Sequence, residues 1–262
     1  MASFLEALGS ARVFDLEQLR YAGAPSHPAH QPGFNYFLYR QHAPGATEAR
    51  TGASGLVVMP EHSGTHIDAL AHQAENLTLH GGVHVDGTVQ TSAGFRVLGI
   101  ETMAPLVTRG VLLDVAGAKR LPSDHSITVE ELQRAETAAH VAIRAGDVVL
   151  VRTGFGKLWS KPADYLRGAG VSAAGSRWLI EKKVSAVGAD NMAWDVIGPT
   201  VPELGVTLPG HILLLVRAGI PIIENLNLED LAAAGVHEFV FVCLPLKMRG
   251  ATGSPVRPIA IA

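Results

Sequence analysis

Val111-Leu112-Leu113-Asp114-Val115 opens a stretch that closes on Val184-Ser185-Ala186-Val187-Gly188-Ala189, with Asp147-Val148-Val149-Leu150-Val151-Arg152 midway. Each run is short, apolar and rich in valine, the pattern of a buried strand. Between the first two, Thr128 with Glu131 three positions on forms a capping box that starts a helix over 128–144. Between the second and third, Ser172 caps a helix over 172–183. Strand and helix alternate, so the chain reads as an α/β protein. Asp190 follows the third strand directly, where it either enters a pocket or stands as a solvated turn carboxylate.

The alternation continues toward the C-terminus. Residues 207–218 read as a helix carrying His211 near its start, with Gly219 as its stop and a strand from Ile220 to Glu224 after it. A glutamate behind Ile220-Pro221-Ile222-Ile223 is costly to bury alone; a cation is its simplest partner and an arginine the alternative. A strand at 237–244, a basic loop through Lys247 and Arg249, and an apolar run at 256–261 follow. Cys243, the single cysteine, lies inside the run Phe239 to Leu244, which marks it as a buried, inert thiol and excludes an intrachain disulfide.

Toward the N-terminus the signals weaken. Residues 3–9 suit one short helical turn, and 11–20 show no clean period. Between 23 and 45, Pro, His, Gly and aromatic residues crowd together, which reads as an extended arm. The arm either lines a pocket with aromatic faces, Phe34 and Phe37 as the substrate contacts, or packs on a neighbouring subunit. Gly55-Leu56-Val57-Val58-Met59 reads as a buried strand feeding Pro60 and what comes next.

What comes next is Glu61-His62-Ser63-Gly64-Thr65-His66-Ile67-Asp68-Ala69-Leu70-Ala71-His72. Imidazole nitrogen and carboxylate oxygen are ligands that zinc and manganese accept, and His62, His66 and Asp68 supply three of them, leaving His72 for chemistry. In a helix Asp68 would stand about 200° round from His66, and Ser-Gly-Thr is a poor helix interior. In an extended chain all four side chains share one face, but His62 and His66 would be about 13 Å apart along a straight strand. Gly64 can kink the chain and lets backbone approach closely. Downstream, His80-Gly81-Gly82-Val83-His84-Val85-Asp86 echoes the pattern, as a loop covering the first site or as a second metal site.

The chain has 262 residues and 47% hydrophobic content, enough for a substantial core, and no linker divides it, so 1–262 is expected to be one domain. A formal charge of −3 with no Lys/Arg run argues against nucleic acid or an anionic membrane as partner and favours small-molecule chemistry. Met1 to Arg20 lacks a basic segment followed by a long apolar one, so it reads as neither signal peptide nor membrane span, and a cytoplasmic location is expected.

The run His62-x-Gly64-Thr65-His66-x-Asp68-Ala69-Leu70-x-His72, with His211, Glu224 and the alternating layout, resembles the metal-dependent cyclase-like hydrolase family, whose members include bacterial kynurenine formamidase and isatin hydrolase. That family's motif has proline where Leu70 stands; proline ligates nothing, so the metal chemistry is untouched. The resemblance covers most of the chain and implies a mixed, partly closed β structure packed with helices, and a homo-oligomer. It further implies that His62, His66 and Asp68 bind a first divalent metal, that Asp68 bridges to a second held by His211 and Glu224, and that His72 is the base.

The expected reaction is hydrolysis of an amide-type C–N bond in a small cyclic or aromatic substrate, of the isatin hydrolase kind. Metal activates water and polarises the carbonyl, while an imidazole of ordinary pKa, about 6.5, moves the proton. The alternatives are an arylformamidase acting on N-formylkynurenine, a metal-dependent cyclase or dehydratase, and a non-catalytic metal-binding relative. Ser63 and Thr65 lack the flanking sequence of a nucleophile elbow.

Overall fold

In the computed structural model, which describes residues 9–45 and 48–262, one sheet of nine strands organises the chain. The strands are β1 (Val13–Asp15), β2 (His66–Asp68), β3 (Leu106–Asp114), β4 (Val148–Arg152), β5 (Ala186–Ala189), β6 (Ile222–Glu224), β7 (Glu238–Cys243), β8 (Gly253–Pro255) and β9 (Ile259–Ile261). Their spatial order is β1-β9-β7-β3-β4-β5-β6-β2-β8. The four in the middle, β3 to β6, are mutually parallel, and every other pairing is antiparallel. The sheet is therefore mixed, as expected of this α/β chain. The helical turn expected at 3–9 falls, but for its last residue, outside the described residues.

Burial on both faces explains why the middle strands are continuous apolar runs. Leu112, Val148 and Leu150 point into one core cluster with Phe239 and Phe241 from β7. Val111, Leu113, Val149 and Val151 point into the other, against Leu132 of helix α1 (Val129–Ala138) and Leu179 of helix α2 (Ala173–Glu181). Thr128 and Glu131 complete the expected capping box, and the Ser172 hydroxyl accepts from the N–H of Gly175. Helix α1 stops at Ala138 rather than 144, because His140 takes a left-handed conformation (φ 53°) and the Glu136 carboxylate then accepts the N–H of Ile143. Cys243 is buried at the end of β7, and burial pushes its thiol up to about 12.

Two regions depart from expectation. The strand expected to be buried at 55–59 is Ser54–Val58, and it is largely exposed: it pairs only with Asn35–Arg40, in a hairpin that stands off the main sheet. Part of the 23–45 arm is thus a regular strand, while Pro28–His30 forms a single 3-10 turn. The helix expected at 207–218 starts as Pro209–His211 and continues as a π-helix over Ile212–Ala218, ended by Gly219 at φ 70°. Wider helical turns of this sort often occur where a side chain is being aimed at a site. Among the described residues no helix is long and apolar enough to cross a membrane.

Candidate metal centre

The run from 61 to 68 is not extended throughout. Residues 61–65 form turns and bends, and only His66–Asp68 is strand, so shared parity holds for His66 and Asp68 alone. Gly64 turns the chain at φ 62°, and His62 folds back until its Nδ1 lies 2.8 Å from Oδ1 of Asp68. A Cβ on Gly64 would sit 2.5 Å from Nη1 of Arg20. The glycine thus makes room for a guanidinium, not for an ion: Arg20 donates to the carbonyls of Ser63 and Thr65 and staples the turn. The Thr65 hydroxyl donates to Asn225 O at 2.6 Å and accepts from the N–H of Gln18, which leaves it no freedom to act as a nucleophile.

Sheet register supplies the next group. Glu224 of β6 stands directly opposite His66 of β2, and the turn Pro209–His211 brings in His211 from the other side. His66 Nε2 lies 3.3 Å from Oε2 of Glu224 and 3.6 Å from Oδ1 of Asp68. His211 Nε2 lies 3.3 Å from Oε1 of Glu224 and 3.7 Å from Oδ2 of Asp68. His62, His66, Asp68, His211 and Glu224 are all buried and all meet in one place.

Each imidazole is fixed from behind. His66 Nδ1 donates to Gly64 O at 2.8 Å, His211 Nδ1 to Oδ2 of Asp195 at 2.9 Å, and His62 Nε2 to the Thr252 hydroxyl at 2.8 Å, tautomers being assigned from these bonds. With those nitrogens committed as donors, the other three carry lone pairs, and all three face the Asp68 and Glu224 carboxylates. Asp68 Oδ2 and Glu224 Oε1 are buried with no hydrogen-bond partner among the described residues, and His211 Nε2 lies within ion-pair range of Glu224 Oε1. Converging acceptors without donors are what a divalent cation satisfies, and nitrogen with carboxylate oxygen suits zinc or manganese.

Protons are the cation's competitors here. Burial disfavours the charged form of His66, yet hydrogen bonding to Glu224 and the Asp68 charge outweigh it and hold the group above its ordinary value. His211 is driven further up, Asp195 and Glu224 overcoming burial. Burial pushes the other way on Glu224, but His211 and His66 hold its carboxyl well below the usual range.

His72 follows β2, its ring centroid 4.0 Å from that of His62 and 6.1 Å from that of His211. Burial pushes it down to about 3, so it is a neutral acceptor rather than the half-titrated imidazole expected. It lines a cavity of about 190 Å³ together with His62, His66, His211 and Glu224. The arm reaches this cavity through His27 and His30, and not through Phe34 or Phe37; Phe37 is 55% exposed on the hairpin. The His30 ring stacks on His62 at 4.7 Å. A second cavity, about 550 Å³, shares the wall formed by His30, His62 and His72 and is bounded beyond it by Met59, Glu61, Leu246 and Thr252.

Asp190 does not enter either cavity: it is buried and accepts the N–H groups of Thr153, Gly154 and Gly156 and the Thr153 hydroxyl, a structural clamp. The echo at 80–86 also stays outside both. His80 bonds Val216 O beneath the π-helix, His84 is exposed, and Asp86 caps its own turn. Asp195, Arg20, Thr252, His27 and His30 act around the site without having been singled out for it. Only the clustering of histidines at 27 and 30 hinted at them.

Fold and site together define a cyclase-like protein with a candidate metal centre. The chain belongs to the Cyclase family, whose model matches residues 14–196. Cyclase-like protein 3 of Oryza sativa subsp. japonica is 28% identical over 98% of this chain and 82% of its own length. Isatin hydrolase of Roseibium aggregatum is 27% identical over 78% of this chain and 73% of its own. Among solved structures, a novel cyclase superposes with a TM-score of 0.87 at 27% identity, covering all of this chain and 90% of that one. Isatin hydrolase A from Ralstonia solanacearum does so with a TM-score of 0.78 at 25% identity, covering all of this chain and 96% of that one. His211, Glu224 and Thr252 lie beyond the span matched by the family model.

Proposed function

We propose that this protein hydrolyses the amide-type C–N bond of a small cyclic or aromatic amide, isatin being the type substrate, with zinc or manganese held by His62, His66, Asp68, His211 and Glu224. The observation that carries this reading is the convergence of three imidazole nitrogens, each fixed from behind, on two buried carboxylates that each keep one oxygen without a hydrogen-bond partner among the described residues. When bound, the cation lowers the pKa of water and polarises the substrate carbonyl.

The chain's own residues supply the rest. His72, neutral and beside the cluster, accepts a proton from the attacking water as its oxygen bonds to the carbonyl carbon. The C–N bond then breaks and His72 returns that proton to the leaving nitrogen, so one water is consumed and a carboxylic acid, which loses its proton to solvent, and an amine result. His27 and His30 face the substrate from the arm. The isatin hydrolase relatives favour a cyclic amide. Arylformamidase action on N-formylkynurenine is the second reading, favoured by His211 and Glu224 both reaching the cluster, where they would hold a second ion with Asp68 as bridge.

The same reading includes a homo-oligomer. Tyr36, Phe37, Leu38 and Tyr39 on one hairpin strand and Leu56, Val57 and Val58 on the other are exposed, an apolar surface of the sort that marks association. Metal content per chain after gentle purification, with hydrolysis of isatin and of N-formylkynurenine by the same sample, tests the function. Metal with turnover of one substrate supports that branch. A metal-free chain that stays inactive after zinc or manganese is added overturns the reading.

A further inference from the structure

Of the three imidazoles at the centre, His62 is the one not held by regular structure, since it precedes β2 in a turn. Its outer nitrogen meets a side chain 190 positions away: Nε2 lies 2.8 Å from Oγ1 of Thr252. Thr252 is itself tightly placed. Its carbonyl accepts the N–H of Ala69 at 2.9 Å, and the next residue, Gly253, pairs with Asp68 across β8 and β2. Gly253 also has to be glycine for His62 to sit where it does, because a Cβ there would come 2.6 Å from His62 Cε1.

The direction of each hydrogen bond can be read from the far end. The Thr252 N–H donates to Oε1 of Glu61 at 2.9 Å, which identifies that oxygen as an acceptor, and the Thr252 hydroxyl donates to the same oxygen. A hydroxyl has one proton. With it committed to Glu61, Thr252 Oγ1 has only lone pairs to offer, so His62 Nε2 carries the hydrogen. His62 Nδ1 is then bare, and it faces Asp68 Oδ1 at 2.8 Å. Had the tautomer been the other one, that contact would be an ordinary hydrogen bond and the pair would have less use for a cation.

We infer that Thr252 and Glu61 are positioning residues that lock His62 in its Nε2–H tautomer and so convert a hydrogen-bonded His–Asp pair into two metal-seeking acceptors. The inference rests on the metal-centre reading given above and extends it to two residues outside the proposed ligand set. Outer partners of this kind typically change metal affinity by about 10- to 100-fold.

The test compares wild type with Thr252→Val, which keeps the shape and loses the hydroxyl, and Thr252→Ser, which keeps the hydroxyl. Zinc affinity is measured by competition with a chromogenic chelator, folding by circular dichroism, and the tautomer by the imidazole ¹⁵N signals. Expected are zinc binding weakened about 10- to 100-fold in Thr252→Val, near-wild-type binding in Thr252→Ser, and an Nε2–H signature for His62 in wild type. Equal affinity of folded Thr252→Val and wild type overturns the inference, as does weakening in both variants or an Nδ1–H signature in wild type. Should wild type take up neither zinc nor manganese, the metal reading fails by itself; the ¹⁵N signature of His62 still upholds or overturns the tautomer lock.

Discussion

Oδ2 of Asp195 lies 2.9 Å from Nδ1 of His211, and Oδ1 of the same buried carboxylate accepts the N–H of Gly210 at 2.7 Å. One aspartate thus holds both the imidazole and the backbone turn that presents it. Asp195→Asn removes the charge and allows the amide N–H to face the ring, which favours the tautomer with its lone pair turned away from the cluster. Cation affinity is expected to fall by about 10- to 100-fold with the fold retained, as read by chelator competition and circular dichroism. An unchanged affinity would count against His211 as a ligand.

Cation binding is expected to release protons. Without a cation, Glu224, Asp68 and Asp195 hold His66 and His211 above their ordinary values, so protons compete for these imidazoles. Ligation needs both imidazoles neutral, so those protons must leave, and lowering the pH opposes binding. Affinity should therefore rise with pH. Calorimetric titration in two buffers of different ionisation enthalpy reports the proton count directly, and a pH-independent affinity with no protons released would contradict this account.

His72→Ala separates chemistry from binding. The ring lies tilted against His62, 4.0 Å between centroids, and its nitrogen is within 4.8 Å of ligand atoms of Asp68 and His211, so the variant decides between base and ligand. Loss of a positioned base typically lowers the rate by about 10²- to 10⁴-fold, so kcat is expected to drop in that range while metal content per chain stays at the wild-type level. Parallel loss of metal would reassign His72 as a ligand.

Gly64→Ala tests the turn that folds His62 back. At φ 62°, with Arg20 Nη1 2.5 Å from where the Cβ would go, alanine meets both backbone strain and a guanidinium that staples the turn. Strain of this kind costs about 1–3 kcal/mol. A lower urea midpoint together with reduced metal content is expected; a variant as stable as wild type would show that the turn relaxes freely.

Much of the fold was legible because its causes are local. Val148–Arg152 is buried on both faces and is a plain apolar run in the sequence; Thr128 with Glu131 starts a helix by reaching its own neighbours. Where tertiary contact competes, the local reading slipped. The apolar run Ser54–Val58 looked like core because a strand in an exposed hairpin and one in a core share the same composition. Phe34 and Phe37 do not line the cavity within this chain, where the arm offers His27 and His30.

By itself the sequence determined the chemistry available: the donor set in His62, His66, Asp68, His211 and Glu224, the spare imidazole of His72, and the α/β alternation that carries them. Residue type and short-range spacing suffice for His62, His66, Asp68 and the spare His72; the family resemblance added His211 and Glu224 to the set. Only the tertiary structure decided which nitrogen of each histidine faces inward, because that depends on Gly64 O, Asp195 and Thr252, partners up to 190 positions away in the chain. A hydrogen bond acts over about 3 Å in space and takes no account of sequence separation.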